Sequence, residues 1–199
     1  MRKFDKRAAK LRDILGLTNA RRLDATELLE RAAVSGLIIG HEEVEDASLP
    51  YDAAQWHAEP KKIIIRQSVM LRSVEDDPRP LFTVAHELAH AVLGHPTRNR
   101  RASGQLQFGR HIEQQEADAD ALAAALLAPM DLIVDLQPTS ARVIAEEFGI
   151  PIWIAERRLV DYQKSPAYAG RRLLLIERET FDTGDYEAAM RAMARNAER

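Results

Sequence analysis

The sequence predicts an α+β fold, mostly helical, with a small β-sheet. Three observations carry that expectation. Apolar residues recur at helical spacing near the N-terminus, around residues 81–93 and again from Ile112, whereas only two short runs, Gly36–Gly40 and Lys61–Arg66, have the character of strands. The chain has 199 residues, enough for one domain or for one domain with a small appendage. Its 46% apolar and 30% charged residues are ordinary for a soluble globular protein.

The same composition excludes several functions. A formal charge of −3 argues against coating nucleic acid by bulk electrostatics, although a local basic patch is still allowed. With no cysteine there are no disulfides, thiolate ligands or cysteine nucleophiles, so any metal must be held by His, Asp or Glu. The basic start Met1-Arg2-Lys3-Phe4-Asp5-Lys6-Arg7 is not followed by the apolar core of a signal peptide, and no long apolar run appears later. A cytoplasmic protein without a membrane segment is the expectation.

From Asp5 to about Ala33 the residues Ala8, Leu11, Ile14 and Leu15, then Leu23, Leu28, Leu29 and Ala32, predict two packing helices interrupted around Gly16–Asn19. The second starts near Asp24 or Thr26 on an N-cap side chain. Gly36-Leu37-Ile38-Ile39-Gly40 suits a strand, Glu42–Ala58 reads as acidic and turn-forming, and His57 within it reads as a structural histidine. Lys61-Lys62-Ile63-Ile64-Ile65-Arg66 is a second, β-branched strand. Glu75-Asp76-Asp77-Pro78-Arg79-Pro80 then breaks the chain before the next helix.

That helix contains His86-Glu87-Leu88-Ala89-His90, the pattern H-E-x-x-H. Residues four apart lie one above the other on a helix, so His86 and His90 can present both imidazoles to one metal ion. Glu87 is turned by about 100° from the first histidine, which carries its carboxylate beside the metal, where a general base for a zinc-activated water belongs. Gly94 and Pro96 stop the helix, and His95, rotated off the ligand stripe, reads as a cation favoured by the helix dipole. The connection from Thr97 to Arg110, with Arg98, Arg100, Arg101 and Arg110, reads equally as a solvated loop or a substrate-contacting flap.

Ile112–Leu127 is a strongly helical, alanine-rich segment ended by Pro129. Glu116, Ala119, Ala123 and Leu126 fall along one face, and a carboxylate at the end of a stripe of small residues suits a helix that approaches another closely and delivers an oxygen ligand. His86, His90 and Glu116 then form a His₂Glu zinc site with a fourth position open to water. Asp118 lies about 200° from Glu116 and is the alternative ligand if the register differs. Asp120 shares the Glu116 face, one turn further along and with a shorter reach.

Phe82-Thr83-Val84-Ala85-His86-Glu87-Leu88-Ala89-His90, followed by Glu116-x-x-Ala119-x-x-Leu122-Ala123-x-x-Leu126-Leu127-x-Pro129, resembles the ImmA/IrrE family of zinc metallopeptidases. The two blocks of that family have the forms R-x-F-T-x-A-H-E-x-x-H and E-x-x-A-x-x-F-A-x-x-L-L-M-P. This chain departs from them at Leu122 and Ala128, both packing positions, and Arg79 stands one residue out of step with the family's arginine. The resemblance covers about Pro80 to Pro129 and the general layout before it. It implies a gluzincin-like, zincin-like metallopeptidase domain in which His86, His90 and Glu116 bind Zn²⁺ and Glu87 is catalytic. It also implies a protein substrate, a DNA-binding bacterial or phage repressor whose cleavage releases repressed genes, as in stress responses. No residue is singled out to steady the oxyanion; His111, Tyr51 and Tyr162 are the candidates.

Thr139–Tyr162 has the spacing of a helix-turn-helix, but with only Arg142, Arg157 and Arg158 to meet phosphates or bases, it is expected to pack rather than to bind DNA. Arg171–Arg178 reads as a strand and Asp185–Arg199 as a terminal amphipathic helix. The expected organisation is a metallopeptidase domain over residues 1–135 and a C-terminal helical subdomain over 136–199. The competing expectation is a non-proteolytic regulator that keeps zinc for stability and acts by binding protein or DNA.

Overall fold

The structure, a computed structural model, describes residues 3–73, 75, 77–97 and 109–170. The strand expected at Arg171–Arg178, the helix expected at Asp185–Arg199 and most of the Thr97–Arg110 connection lie outside those residues. The described chain is mostly helical with one small mixed sheet, as the α+β expectation requires. Among the described residues no helix is long and apolar enough to cross a membrane.

Helices α1 (Lys3–Ile14) and α2 (Ala25–Val34) form where the apolar periodicity places them. Asp24 caps α2, its Oδ1 accepting from the backbone N–H groups of Thr26 at 2.8 Å and Glu27 at 3.0 Å. A cap of this kind stabilises a helix by about 1 kcal/mol.

The expected strand at Gly36–Gly40 is not there. Gly36 adopts φ 74°, and the N–H groups of Gly36 and Leu37 bond back to the carbonyls of Ala33 and Ala32, so these residues form the exit from α2. Ile38 drops into the core at this turn while Ile39 stays exposed. The strand begins one step later, β1 (Gly40–Val44), in the acidic stretch expected to be turns. Its charge is physically reasonable because β1 is an edge strand with Glu42 and Glu43 exposed.

The sheet has the order β1-β3-β2, with β1 parallel to β3 (Lys62–Arg66) and β2 (Ala54–His57) antiparallel to it. Central β3 turns Ile63 and Ile65 fully inward, which explains its β-branched run. Edge strand β2 buries Ala54 and Trp56 and was not legible in the polar stretch that holds it. A short helix, α3 (Gln67–Ser73), follows β3 without a break and was also not foreseen.

Helix α4 (Arg79–Leu93) closes at Gly94, whose φ of 69° lets the chain reverse. Helix α5 (Gly109–Leu127) packs against α4, α1 and α8 (Ile152–Gln163), and every residue from Leu122 to Ala128 is buried. The alanines therefore serve more than the single stripe expected: α5 is the central helix, and small side chains are needed on several faces. Its buried carbonyl end needs donors. Arg12 of α1 donates Nη1–H to Leu126 O at 2.6 Å and Nη2–H to Ala20 O, while Arg158 of α8 donates Nε–H to Ala128 O at 2.8 Å and Nη2–H to Asp5 at 2.9 Å.

Helices α6 (Met130–Leu136), α7 (Ala141–Phe148) and α8 complete the described chain, with Gly149 at φ 62° between the last two. Ile144, Phe148, Ile154, Ala155 and Tyr162 join the same hydrophobic core as the residues of α1 to α5. Of the three arginines that could have met phosphates or bases, Arg158 is buried on Asp5 and Ala128 O.

Candidate functional site

Helical periodicity places His86 and His90 one turn apart on α4, their Nε2 atoms 3.0 Å apart. Helix α5 comes close enough, across Ala119 and Ala123 with no exposed surface, to bring in Glu116. Its Oε2 lies 3.4 Å from His86 Nε2 and its Oε1 3.6 Å from His90 Nε2. A tetrahedral ion with bonds of about 2.0–2.1 Å sets its ligand atoms about 3.3 Å apart. These separations span that value, and the three side chains could hold a metal ion. Two imidazole nitrogens and one carboxylate oxygen, without thiolate, are donors that zinc accepts.

The outward nitrogen of each imidazole is also engaged. His86 Nδ1 lies 2.8 Å from Asp120 Oδ1, and His90 Nδ1 lies 2.8 Å from His95 Nδ1. A partner at Nδ1 fixes ring orientation and leaves Nε2 to face a metal. Burial favours neutral His86, but hydrogen bonds to Asp120 and Glu116 and the charges of Glu87 and Asp120 prevail and raise its pKa to about 10. The same carboxylate field that holds a proton there would hold a divalent cation in its place, with release of the proton.

Glu87 lies beside this triangle in the same cleft, on the side of β2. Its Oε2 accepts the backbone N–H of Trp56 at 2.6 Å. Burial pushes its pKa up to about 7, against the lowering effect of His86 and the Trp56 N–H, with Glu116 and Asp52 adding to the rise. A carboxyl balanced near neutrality can both take and give a proton at working pH. Trp56 also donates its indole N–H to His95 O at 3.1 Å, tying β2 to the end of α4. His86, Glu87, His90, Glu116 and Asp120 line a cleft of about 260 Å³, together with Phe82, Thr83 and the Asp52–Trp56 segment.

Several expectations need correction. His95 was expected to be a cation; burial lowers its pKa, and it stands against His90 as a neutral neighbour. Asp120, weighed only as a distant ligand, pairs with His86 instead. Asp118 accepts from Gln114 at 2.6 Å and does not line the cleft. None of the three oxyanion candidates lines it either: Tyr162 is in the core, Tyr51 is exposed, and His111 lies 3.4 Å from Gln115 at the exposed start of α5. Arg79 is largely exposed on Asp77. His57, as expected, makes a local bond, 3.1 Å to Gln55.

The sequence did not indicate the Trp56 N–H on Glu87, Asp120 as the partner of His86, or His95 as the partner of His90. Asp120 carried a usable signal, being one turn from Glu116 on the same face. The Trp56 contribution is a backbone N–H and carries none.

The family model for the IrrE N-terminal-like domain, peptidase M78, matches residues 44–160, the segment that holds every residue of this site. Among solved structures, a Mycobacterium tuberculosis transcriptional regulator is similar in fold, with a TM-score of 0.54 at 14% identity over 83% of this chain. The match covers 49% of that protein, so the chain spans about half its length. No curated protein sequence matches the chain.

Proposed function

The chain belongs to the IrrE N-terminal-like domain family, peptidase M78, and we propose that it is a zinc-dependent endopeptidase that cuts a bacterial or phage transcriptional repressor in the cytoplasm, releasing repressed genes. The observation that carries this reading is the triangle of His86 Nε2, His90 Nε2 and Glu116, with the Glu87 carboxyl beside it in an open cleft. A zinc ion held there would supply Lewis acidity toward a water and the scissile carbonyl.

The chain's own groups divide the remaining work. His86, His90 and Glu116 are the ligands, and Asp120 and His95 hold the two imidazoles in register. Glu87 takes the proton of the attacking water on the carboxylate that the Trp56 N–H keeps in place, then passes it to the leaving amine. Edge strand β2 beside the cleft suits a substrate in extended form. The transcriptional regulator of similar fold fits a partner in gene control.

Metal analysis with a cleavage assay tests the reading. The wild-type protein should hold one zinc per chain and cut the repressor encoded beside its own gene, and a chelator should stop the reaction. His90→Ala and Glu116→Ala should each lose the metal and the activity. Unchanged zinc in both variants would remove the ligand set. Relief of repression without any cleavage would favour a zinc-stabilised regulator that acts by binding alone.

A further inference from the structure

Beyond the metal ligands, the cleft wall carries aromatic surface that the chemistry does not use. Phe82, one turn before His86 on α4, lines the cleft, and its ring centroid is 6.1 Å from that of His86. Trp153, near the start of α8, stands edge-on to Phe82 with centroids 4.6 Å apart and planes at 75°. Trp153 does not itself line the cleft but borders it through Phe82; it is 46% exposed and Ile152 beside it 50%, while the next two residues of α8, Ile154 and Ala155, are fully buried. Aromatic surface left open next to a polar cleft is a contact surface for what the cleft receives.

We propose that Phe82 and Trp153 form an apolar subsite that receives a bulky apolar side chain of the substrate within two residues of the scissile bond. This rests on the peptidase reading above and adds the sequence class it selects. Phe82 stands one turn from His86 in the same cleft wall, so a peptide with its scissile carbonyl at the His86–His90–Glu116 triangle brings a side chain near the cut within reach of the Phe82 ring. The extended form is favoured because residues 52–56, which include most of edge strand β2, line the same cleft. Rigid aromatic walls of this type discriminate by size, and a missing contact in such a pocket is worth about 10- to 200-fold in selectivity.

The test uses the zinc-loaded full chain and a library of unstructured peptides, with cut sites read by mass spectrometry. Wild type should prefer Leu, Met or Phe over Ala at one position within two residues of the cut, with a ratio of kcat/KM of about tenfold or more. Trp153→Ala should bring that ratio down toward one, and Trp153→Phe should keep most of it. Val34→Ala, which removes an exposed apolar residue at the end of α2, should keep the wild-type ratio. As a second readout, the non-cleaving Glu87→Gln protein should show a change in indole emission when a Leu-containing library peptide binds, and the Trp153→Phe version of it should lose most of that change. Cutting without apolar preference, or a ratio unaltered in Trp153→Ala, overturns the subsite and leaves the peptidase standing. If wild type cuts no peptide and Glu87→Gln binds none, both fall together.

Discussion

Replacing Asp120 by Asn keeps the volume of the side chain and removes its charge, so it isolates what orients His86. Asp120 Oδ1 lies 2.8 Å from His86 Nδ1, with the two side chains 34% and 16% exposed. Losing a carboxylate that orients a metal-binding histidine lowers affinity by about 10- to 100-fold, or about 1.4 to 2.8 kcal/mol. Water reaches a third of Asp120, which screens the pair, and Asn still offers an oxygen acceptor, so the lower end, about tenfold, is expected. The assay is competition for zinc against a chromophoric chelator at neutral pH. Glu116→Gln, which alters a ligand, should weaken binding more, while Asp118→Asn should stay near wild type because Asp118 pairs with Gln114 outside the cleft. A wild-type affinity in Asp120→Asn, or a loss of equal size in Asp118→Asn, would refute the assigned geometry.

Three further outcomes follow from the packing and the charges. Ala123→Leu, at a position with no exposed surface on central α5, should cost about 1–3 kcal/mol in denaturant melts by overpacking and weaken zinc binding as Glu116 is pushed away; an unchanged melt with full zinc affinity would contradict the close approach of the helices. Arg158→Leu strands the buried Asp5 and leaves Ala128 O without its donor, so a loss of about 3–5 kcal/mol is expected, partly recovered in Arg158→Met with Asp5→Ala; a loss below 1 kcal/mol in the single variant would contradict the burial of the pair. For the metal-free protein, the raised values of His86 (about 10) and Glu87 (about 7) mean that the folded state binds more protons than the unfolded one between about pH 4.5 and 10. Their stabilising contribution is present at low pH and lost as pH rises through those values, so chemical denaturation should show metal-free stability falling from pH 5 to pH 9, less steeply in Glu87→Gln. Stabilisation by added zinc should run the other way and grow with pH.

How much of this was legible depends on what each feature is made of. His86, Glu87 and His90 are related by the backbone repeat of one helix, so their spacing alone placed them. Glu116 required a second helix and was singled out because its alanine neighbours signal a close approach; Ala119 and Ala123 are fully buried there. Asp120 lay on the correct face, but whether it reaches the metal or His86 depends on the distance between helices, which periodicity does not encode. His95 depends on the reversal at Gly94, which turns the chain back so that His95 meets His90. The Trp56 N–H that holds Glu87 belongs to the backbone and would be there with any residue except proline.

The misread strand has a similar cause. Leu37-Ile38-Ile39 looks like a buried strand, but it follows α2 directly, and Gly36 at positive φ spends those residues on the helix exit. The real strand β1 is charged because it lies at the sheet edge with Glu42 and Glu43 exposed, a pattern that resembles a loop in sequence.

The most direct test of the account is Glu87→Gln. It keeps the size of the side chain, leaves all three proposed ligands in place and removes the group proposed to move the proton. The variant should keep the zinc content of wild type and bind the proposed repressor substrate intact, with cleavage reduced by at least 100-fold. Cleavage at the wild-type rate, or loss of the metal with the carboxylate, would contradict it.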